Sequence, residues 1–419
     1  MTEFVVPYHG QGSIFDETDI AAVAGLLRSD KHLSSGFERR AFEQEFADDV
    51  GAGHAVSVTS CTMALELATH LLDLRPGDEV IASPLTFQAT VSPLLTRGIT
   101  VRFADVDPES LALDPAGVLR QITPRTRAVY ITHYGGLAAD LDRLRALADA
   151  HDIALVEDCA HALGTRYRGR GVGTIGDVGC WSFHSLKNMS TLGQGGMVTT
   201  GSAEWAGRLR RVSSIEPDAD FTARPAPTAF GAHESPLPDD PERHCKNAYT
   251  HDCGTVRAGG TNAIMSEPAA AVGRTQLAKL PSFVARRRGL AGYLNERLGA
   301  LPGVRVHGDL PEREHSYHLY TIRLEGAAPG VRDELIRRLH HEHRVEIILR
   351  YFPLHLLPEW RARGGAYGQA PVAERIWFQE LINLPIYPAM RDSQVEYVAD
   401  AVTTALRDVT AGSRTAVTS

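Results

Sequence analysis

The chain has 419 residues, more than one compact core usually holds, which suits a large domain with a smaller one. Hydrophobic residues make up 43% and charged residues 22%, and the formal charge of −8 leaves no basic surface for nucleic acid or an anionic membrane. The start, MTEFVVPYHG, has neither a charged n-region nor an apolar h-region, and no later stretch approaches the roughly 20 apolar residues of a membrane span, so a cytoplasmic protein is expected.

From about residue 55 to 200, short β-rich runs alternate with helical stretches. AVSVTS (55–60) leads into TMALELATHLLDL, and DEVIAS (78–83) into TFQATVSPLLTRG. ITVRFADV (99–106), TRAVYITHY (126–134), IALVEDCA (153–160) and GDVGCWSF (176–183) continue the series. Runs that are apolar on both faces and separated by amphipathic helices predict an α/β fold with a mainly parallel sheet covered on both sides. GGMVTT (195–200) reads as one more strand, an antiparallel neighbour.

Segment 213–258 is rich in Pro, Ala, Asp and Ser and shows no period, so it reads as a lid, a docking loop or a partly disordered insert. A long helix is expected from Ser266 to Leu301, with Pro268 in the tolerated first turn and Pro281 kinking or dividing it. Beyond it, HSYHLYTIRL and VEIILRYF read as strands among helices of a smaller lobe. The expected organisation is a large domain (1–258) with an N-terminal arm, a linking helix and small domain (259–410), and a loose tail (411–419).

The five cysteines (Cys61, Cys159, Cys180, Cys245, Cys253) are odd in number and mostly lie in apolar runs, which suits reduced thiols. His244, Cys245, His251 and Cys253 could together bind zinc, but their spacing matches no regular finger, so no metal is expected.

Four features carry chemistry. Asp158 closes an apolar strand at its carboxyl end, where open α/β sheets place ligands. A carboxylate there needs a partner. A protonated pyridine nitrogen would serve, making pyridoxal phosphate (PLP) an electron sink; a helix N-cap is an equally open reading. Lys187 falls just past the strand that ends with Ser182 and Phe183, where partial desolvation lowers a lysine's pKa and suits imine formation. The chain has only three other lysines, Lys31, Lys246 and Lys279, and none sits at a strand-to-loop junction. Ser60, Cys61 and Thr62 form a strand-to-helix turn able to bind phosphate, or an ordinary cap. GQGG (193–196) is a flexible hinge near a ligand. No G-x-G-x-x-G follows the first strand and no Walker pattern occurs.

In order, LSSGFERRAFEQEFA, SVTSCTMALELA, RPGDEVIASPLTFQAT, FADVDPESLALDP, VEDCAHALGTRYRGRGVGTIGDVGCWSFHSLKN and GGTNAIMSEPAAAVGRTQL resemble the DegT family of PLP-dependent sugar aminotransferases, of the fold-type-I superfamily. The resemblance implies that Lys187 holds PLP and shuttles protons while Asp158 pairs with the pyridine nitrogen. It also implies that His161 contacts the ring or its phenolic oxygen and that Phe87 stacks on the ring face. Ser182 and the Ser60–Thr62 turn would hold the phosphate. Asn262 would reach the phosphate of a second subunit, making a homodimer with shared active sites. The implied reaction moves an amino group from glutamate or glutamine to a keto-sugar, nucleotide-linked by the likeness of SFHSLKN, in antibiotic or surface-glycan biosynthesis. A cyclitol ketone, another specialised carbonyl, or a sugar dehydratase are the alternatives; the family's dehydratases carry histidine at the Lys187 position. Cys61 stands where relatives have glycine, Gln194 where they have Glu, and Ile264 where they usually have arginine.

Overall fold

A computed structural model describes residues 3–8, 11–34, 36–214 and 260–417. The predicted insert, and with it the His244–Cys253 cluster and Lys246, falls outside these residues apart from its first two positions, Ser213 and Ser214, which end a helix.

The strands, in chain order, are β1 (His54–Val58), β2 (Glu79–Ala82), β3 (Thr100–Phe103), β4 (Thr126–Thr132), β5 (Ala154–Asp158), β6 (Arg166–Tyr167), β7 (Arg170–Gly171), β8 (Val178–Ser182) and β9 (Gly196–Thr200). Seven of them form one sheet in the order β1-β9-β8-β5-β4-β2-β3. β3, β2, β4, β5 and β8 run parallel, and β9 is antiparallel to both β8 and β1. The apolar runs are explained by burial on both faces. In β4, Val129 and Ile131 join one core with Phe42, Phe46 and Trp181, while Ala128 and Tyr130 join the other with Leu65 and Val80.

Helices α1 (Glu17–Leu27), α2 (Phe37–Val50) and α3 (Cys61–Leu71) pack around this sheet with the helix Glu267–Gly299. Ser266 caps the latter by accepting the Ala269 N–H at 3.4 Å, and Pro268 occupies its first turn. The helix runs through Pro281 without dividing. Its first half lies on α1 and α2, where Arg274 bonds Glu38 and Glu45. Leu290, Leu294 and Leu298 belong instead to a third core with Tyr320, Ile322 and Leu384. One helix thus serves both lobes, and Thr59 N–H to Ala263 O at 2.9 Å ties residues before it to the large sheet.

The small lobe holds an antiparallel sheet of β10 (Val304–Val306), β12 (Tyr320–Leu324) and β13 (Leu381–Leu384). β11 (Arg313–Glu314) crosses to pair with β6. Two expectations fail here. VEIILRYF is not a strand: only Val345 makes a bridge, to Val6, after which the chain bends so that Arg350 and Tyr351 reach a cavity. The Arg350 N–H is taken by Asn383 Oδ1 at 2.7 Å rather than by a ladder. The strand in that place is β13, which the sequence reading missed. Of the expected loose tail, residues 411–417 continue the helix Asp392–Val417.

Candidate active site

The carboxyl ends of β5 and β8, the start of α3 and the bend at 350–351 surround a cavity of about 350 Å³. Parallel strands all present their carboxyl ends on one side, which is why Asp158 and Ser182 meet there.

Asp158 is 4% exposed. Its Oδ2 accepts from Thr90 Oγ1 at 2.6 Å, and Thr90 continues through Thr86 to Thr132. Its Oδ1 accepts the Ala160 N–H at 3.0 Å, but turns rather than a helix follow, so the N-cap reading fails. Among the described residues the carboxylate has no ion-pair partner. A buried anion in that position favours a ligand that brings a proton or a cation.

Lys187 follows β8 on a turn closed by its N–H to His184 O at 2.8 Å. Its side chain is half-buried in the cavity wall, and burial pulls its pKa down to about 8, Arg350 adding to the effect and Cys61 and Asp158 opposing it. A fraction of its amine is therefore neutral and nucleophilic near pH 7. Lys279, by contrast, is bound to Asp16 and Asp19.

Ser60 is the N-cap of α3, accepting the Met63 N–H at 3.2 Å, so the capping reading holds for its side chain. The Cys61 and Thr62 amides precede that bond at the positive end of the helix, where an anion is favoured. Gly196 packs on this turn so closely that a Cβ would lie 2.5 Å from the Ser60 carbonyl carbon and 2.7 Å from the Cys61 nitrogen. Burial pushes the Cys61 thiol pKa well up, so it is a neutral group here. Ser182 lines the cavity and is 5% exposed.

Phe87 stands 56% exposed at the cavity, its ring centroid 5.9 Å from that of Tyr351. The His161 ring lies nearly parallel to that of Tyr351, centroids 5.6 Å apart, and tilted against that of His318 at 4.3 Å, and burial with nearby Lys187 and Arg350 holds its pKa well below the usual value. Its Nδ1 accepts the Gly135 N–H at 3.3 Å and its Nε2 lies 2.9 Å from the Tyr351 hydroxyl. Both ring nitrogens are thus engaged within the chain. Gln194 lines the cavity, and Ile264 makes a bridge with Val58. Asn262 is exposed and is not part of the cavity wall; its neighbours Thr261 and Ala263 bond Val212 and Ser213.

Sequence reasoning missed Tyr8, Arg287, His318, Arg350 and Tyr351, all on the cavity wall. Arg286, Arg287 and Arg288 are indistinguishable in sequence. In the fold, the outer two bond Asp392 and Asp309, while Arg287 is 1% exposed. Among the described residues, His133, Glu157 and Cys159 are the one group spaced for a metal. Of these, His133 and Glu157 are hydrogen-bonded to each other: Glu157 accepts from His133 Nε2 at 2.9 Å and from the Gly173 and Ile175 amides at 2.7 and 2.9 Å.

Three similarities bear on this site. The chain is 36% identical over 388 residues to the dTDP-3-amino-3,4,6-trideoxy-alpha-D-glucose transaminase of Streptomyces venezuelae, covering 92% of this chain and 91% of the relative. It is 35% identical over 382 residues to the spore coat polysaccharide biosynthesis protein SpsC of Bacillus subtilis (strain 168), covering 91% of each. Its fold matches the crystal structure of the aminotransferase TlmJ from Streptoalloteichus hindustanus with a TM-score of 0.83 and 33% identity, covering 96% of this chain and all of that one. The description of the DegT/DnrJ/EryC1/StrS aminotransferase family matches residues 13–403, and the chain belongs to that family.

Proposed function

We propose that this aminotransferase binds PLP through Lys187 and carries an amino group from glutamate or glutamine to a nucleotide-linked keto-sugar. The observation that carries the reading is one cavity holding a lysine of lowered pKa and a buried carboxylate without an ion-pair partner. The residues fit the cofactor: the Cys61 and Thr62 amides with Ser182 for its phosphate, Asp158 for its ring nitrogen, and Phe87 and the face of His161 for its ring. Bound there, PLP supplies an electron sink for breaking the bond to hydrogen at the amine-bearing carbon. Lys187 is the base that takes and returns that proton, and its lowered pKa suits the task near neutral pH. Asp158 keeps the ring nitrogen protonated, with its own oxygens oriented by Thr90 and the Ala160 amide. The relative named as a dTDP-3-amino-3,4,6-trideoxy-alpha-D-glucose transaminase supports a nucleotide-linked acceptor, and Lys187, at the position where the family's dehydratases carry histidine, speaks against the dehydratase alternative. A cytoplasmic homodimer in which Asn262 serves the partner's phosphate site belongs to the same proposal. The outward position of Asn262 suits it, and among the described residues no helix is long and apolar enough to cross a membrane.

The test is direct. Purified protein loaded with PLP should change its visible absorbance on addition of glutamate or glutamine. Run in reverse with 2-oxoglutarate, it should deaminate the dTDP-linked 3-amino-3,4,6-trideoxyglucose in preference to an aminocyclitol. No absorbance change with either amino donor overturns the aminotransferase reading; preference for the aminocyclitol overturns the nucleotide-sugar assignment alone.

A further inference from the structure

The N-terminal arm joins the small lobe to the loop that carries Lys187. Val6 bridges Val345, and the Tyr8 N–H bonds Glu346 Oε2 at 2.8 Å, so the arm begins on the small lobe. Gly12 then meets the other side: its N–H bonds Ser185 O at 3.1 Å. A Cβ at Gly12 would lie 2.1 Å from the Lys187 carbonyl oxygen and 2.3 Å from the Leu186 carbonyl carbon. Those are backbone atoms, which cannot swing aside as a side-chain tip could, so position 12 tolerates only glycine while the loop stays in place.

The Gly12 carbonyl is in turn held by Arg287. Its Nη2 donates to Gly12 O at 2.9 Å, and its Nη1 donates to Tyr317 O and Ile386 O, each at 3.0 Å. The guanidinium therefore ties three segments: the arm, the approach to β12 and the exit from β13. It is 1% exposed, has no carboxylate partner among the described residues, and burial lowers its pKa to about 9. Burying a cation for backbone carbonyls alone is costly, and mutual reach across three segments is what a planar, five-donor fork provides and an ammonium does not. Gly12, Arg287 and Lys187 all line the one cavity.

We propose that Gly12 and Arg287 are positioning residues for Lys187: Arg287 clamps the arm, and the bare Gly12 backbone sets where the lysine's peptide lies against the cavity. This rests on Lys187 being the residue that binds PLP. The clamp does not touch the cofactor's phosphate or ring supports, so losing it should misplace the lysine and leave the rest of the cavity usable.

The experiment compares two probes on the same apoprotein. PLP can bond to Lys187; pyridoxamine phosphate cannot, and reads only the non-covalent site. Gly12→Ala, Arg287→Met and Arg287→Lys should each weaken PLP binding by about tenfold or more. Their affinity for pyridoxamine phosphate should remain within about twofold of the parent. The pH at which the bound PLP changes colour should also move. Equal losses for both probes would mean general damage to the cavity and overturn the proposal. So would parental PLP binding in Gly12→Ala, or full rescue by Arg287→Lys, which would make charge and not bridging the cause. If Lys187→Ala binds PLP as tightly and with the same colour as the parent, the lysine assignment itself fails, a result distinct from any of these.

Discussion

The Tyr351 hydroxyl and His161 Nε2 lie 2.9 Å apart, and the direction of that bond is fixed from the other side of the imidazole. Nδ1 accepts the Gly135 N–H, so a neutral His161 carries its proton on Nε2 and donates it to Tyr351. The phenol, whose pKa burial pushes up to about 12, keeps its own proton for an acceptor in the cavity.

Four histidines are held neutral by burial: His161 and His318 far below the ordinary value, His307 at about 4 and His315 at about 3. Their folded pKa values lie below that of the unfolded chain, so the unfolded state gains protons first as pH falls. The fold should lose stability below about pH 6.5, by roughly 1.4 kcal/mol per pH unit for each of His307 and His315 until their folded values are reached. Thermal unfolding at pH 7.5 and 5.5 checks this, and His307→Asn should flatten the slope. An unchanged Tm across that range would contradict it.

Lys187 carries the same sign at higher pH. Its folded pKa of about 8 lies below the ordinary 10.5, so in the absence of cofactor the cost of burying it is full below pH 8 and fades out above about 10.5. Lys187→Met should therefore unfold at a higher temperature than the parent apoprotein at pH 7, with the gap much reduced by pH 10. Borohydride reduction of the PLP-loaded parent should label the peptide containing Lys187 and not those with Lys31, Lys246 or Lys279.

Asp158→Asn should retain much of the cofactor yet slow the glutamate half-reaction by a factor on the order of a thousand, because the ring nitrogen loses the anion that keeps it protonated. Stopped-flow absorbance measures it. A rate within tenfold of the parent would leave Asp158 only its contacts to Thr90 and Ala160.

Gly196→Ala would drive a methyl group into the Ser60–Cys61 peptide, only 2.5 Å away, and tilt the first amides of α3. The expected outcome is at least tenfold weaker binding of both PLP and pyridoxamine phosphate, since the two share the phosphate. Titration calorimetry distinguishes this pattern from the selective loss expected at Gly12.

Shared active sites predict complementation. Lys187→Ala and Asn262→Asp, each inactive, should regain part of the activity when unfolded together and refolded as a mixture. Each heterodimer then holds one site with both parental residues. Activity that stays at the level of the separate variants, although mass spectrometry shows heterodimers, would place Asn262 outside the site.

The order of strands and helices, the parallel sheet and the ends that carry Asp158, Ser182 and Lys187 were readable in the sequence. They follow from local signals: apolar runs bounded by turns, and a strand's carboxyl end falling where its run stops. Lysine scarcity singled out Lys187 without any fold. The small lobe was less readable, because VEIILRYF has the composition of a strand while its hydrogen bonds go to Asn383 and Val6, hundreds of residues apart in part. Only tertiary structure could bring Tyr351 to His161, 190 positions away, or choose Arg287 from three consecutive arginines by burying it. Whether Asp158 capped a helix or faced a ligand was likewise undecidable from spacing. The turn that follows it and the threonine chain beneath it made that choice, because a carboxylate's role is set by what surrounds it and not by its place in a run.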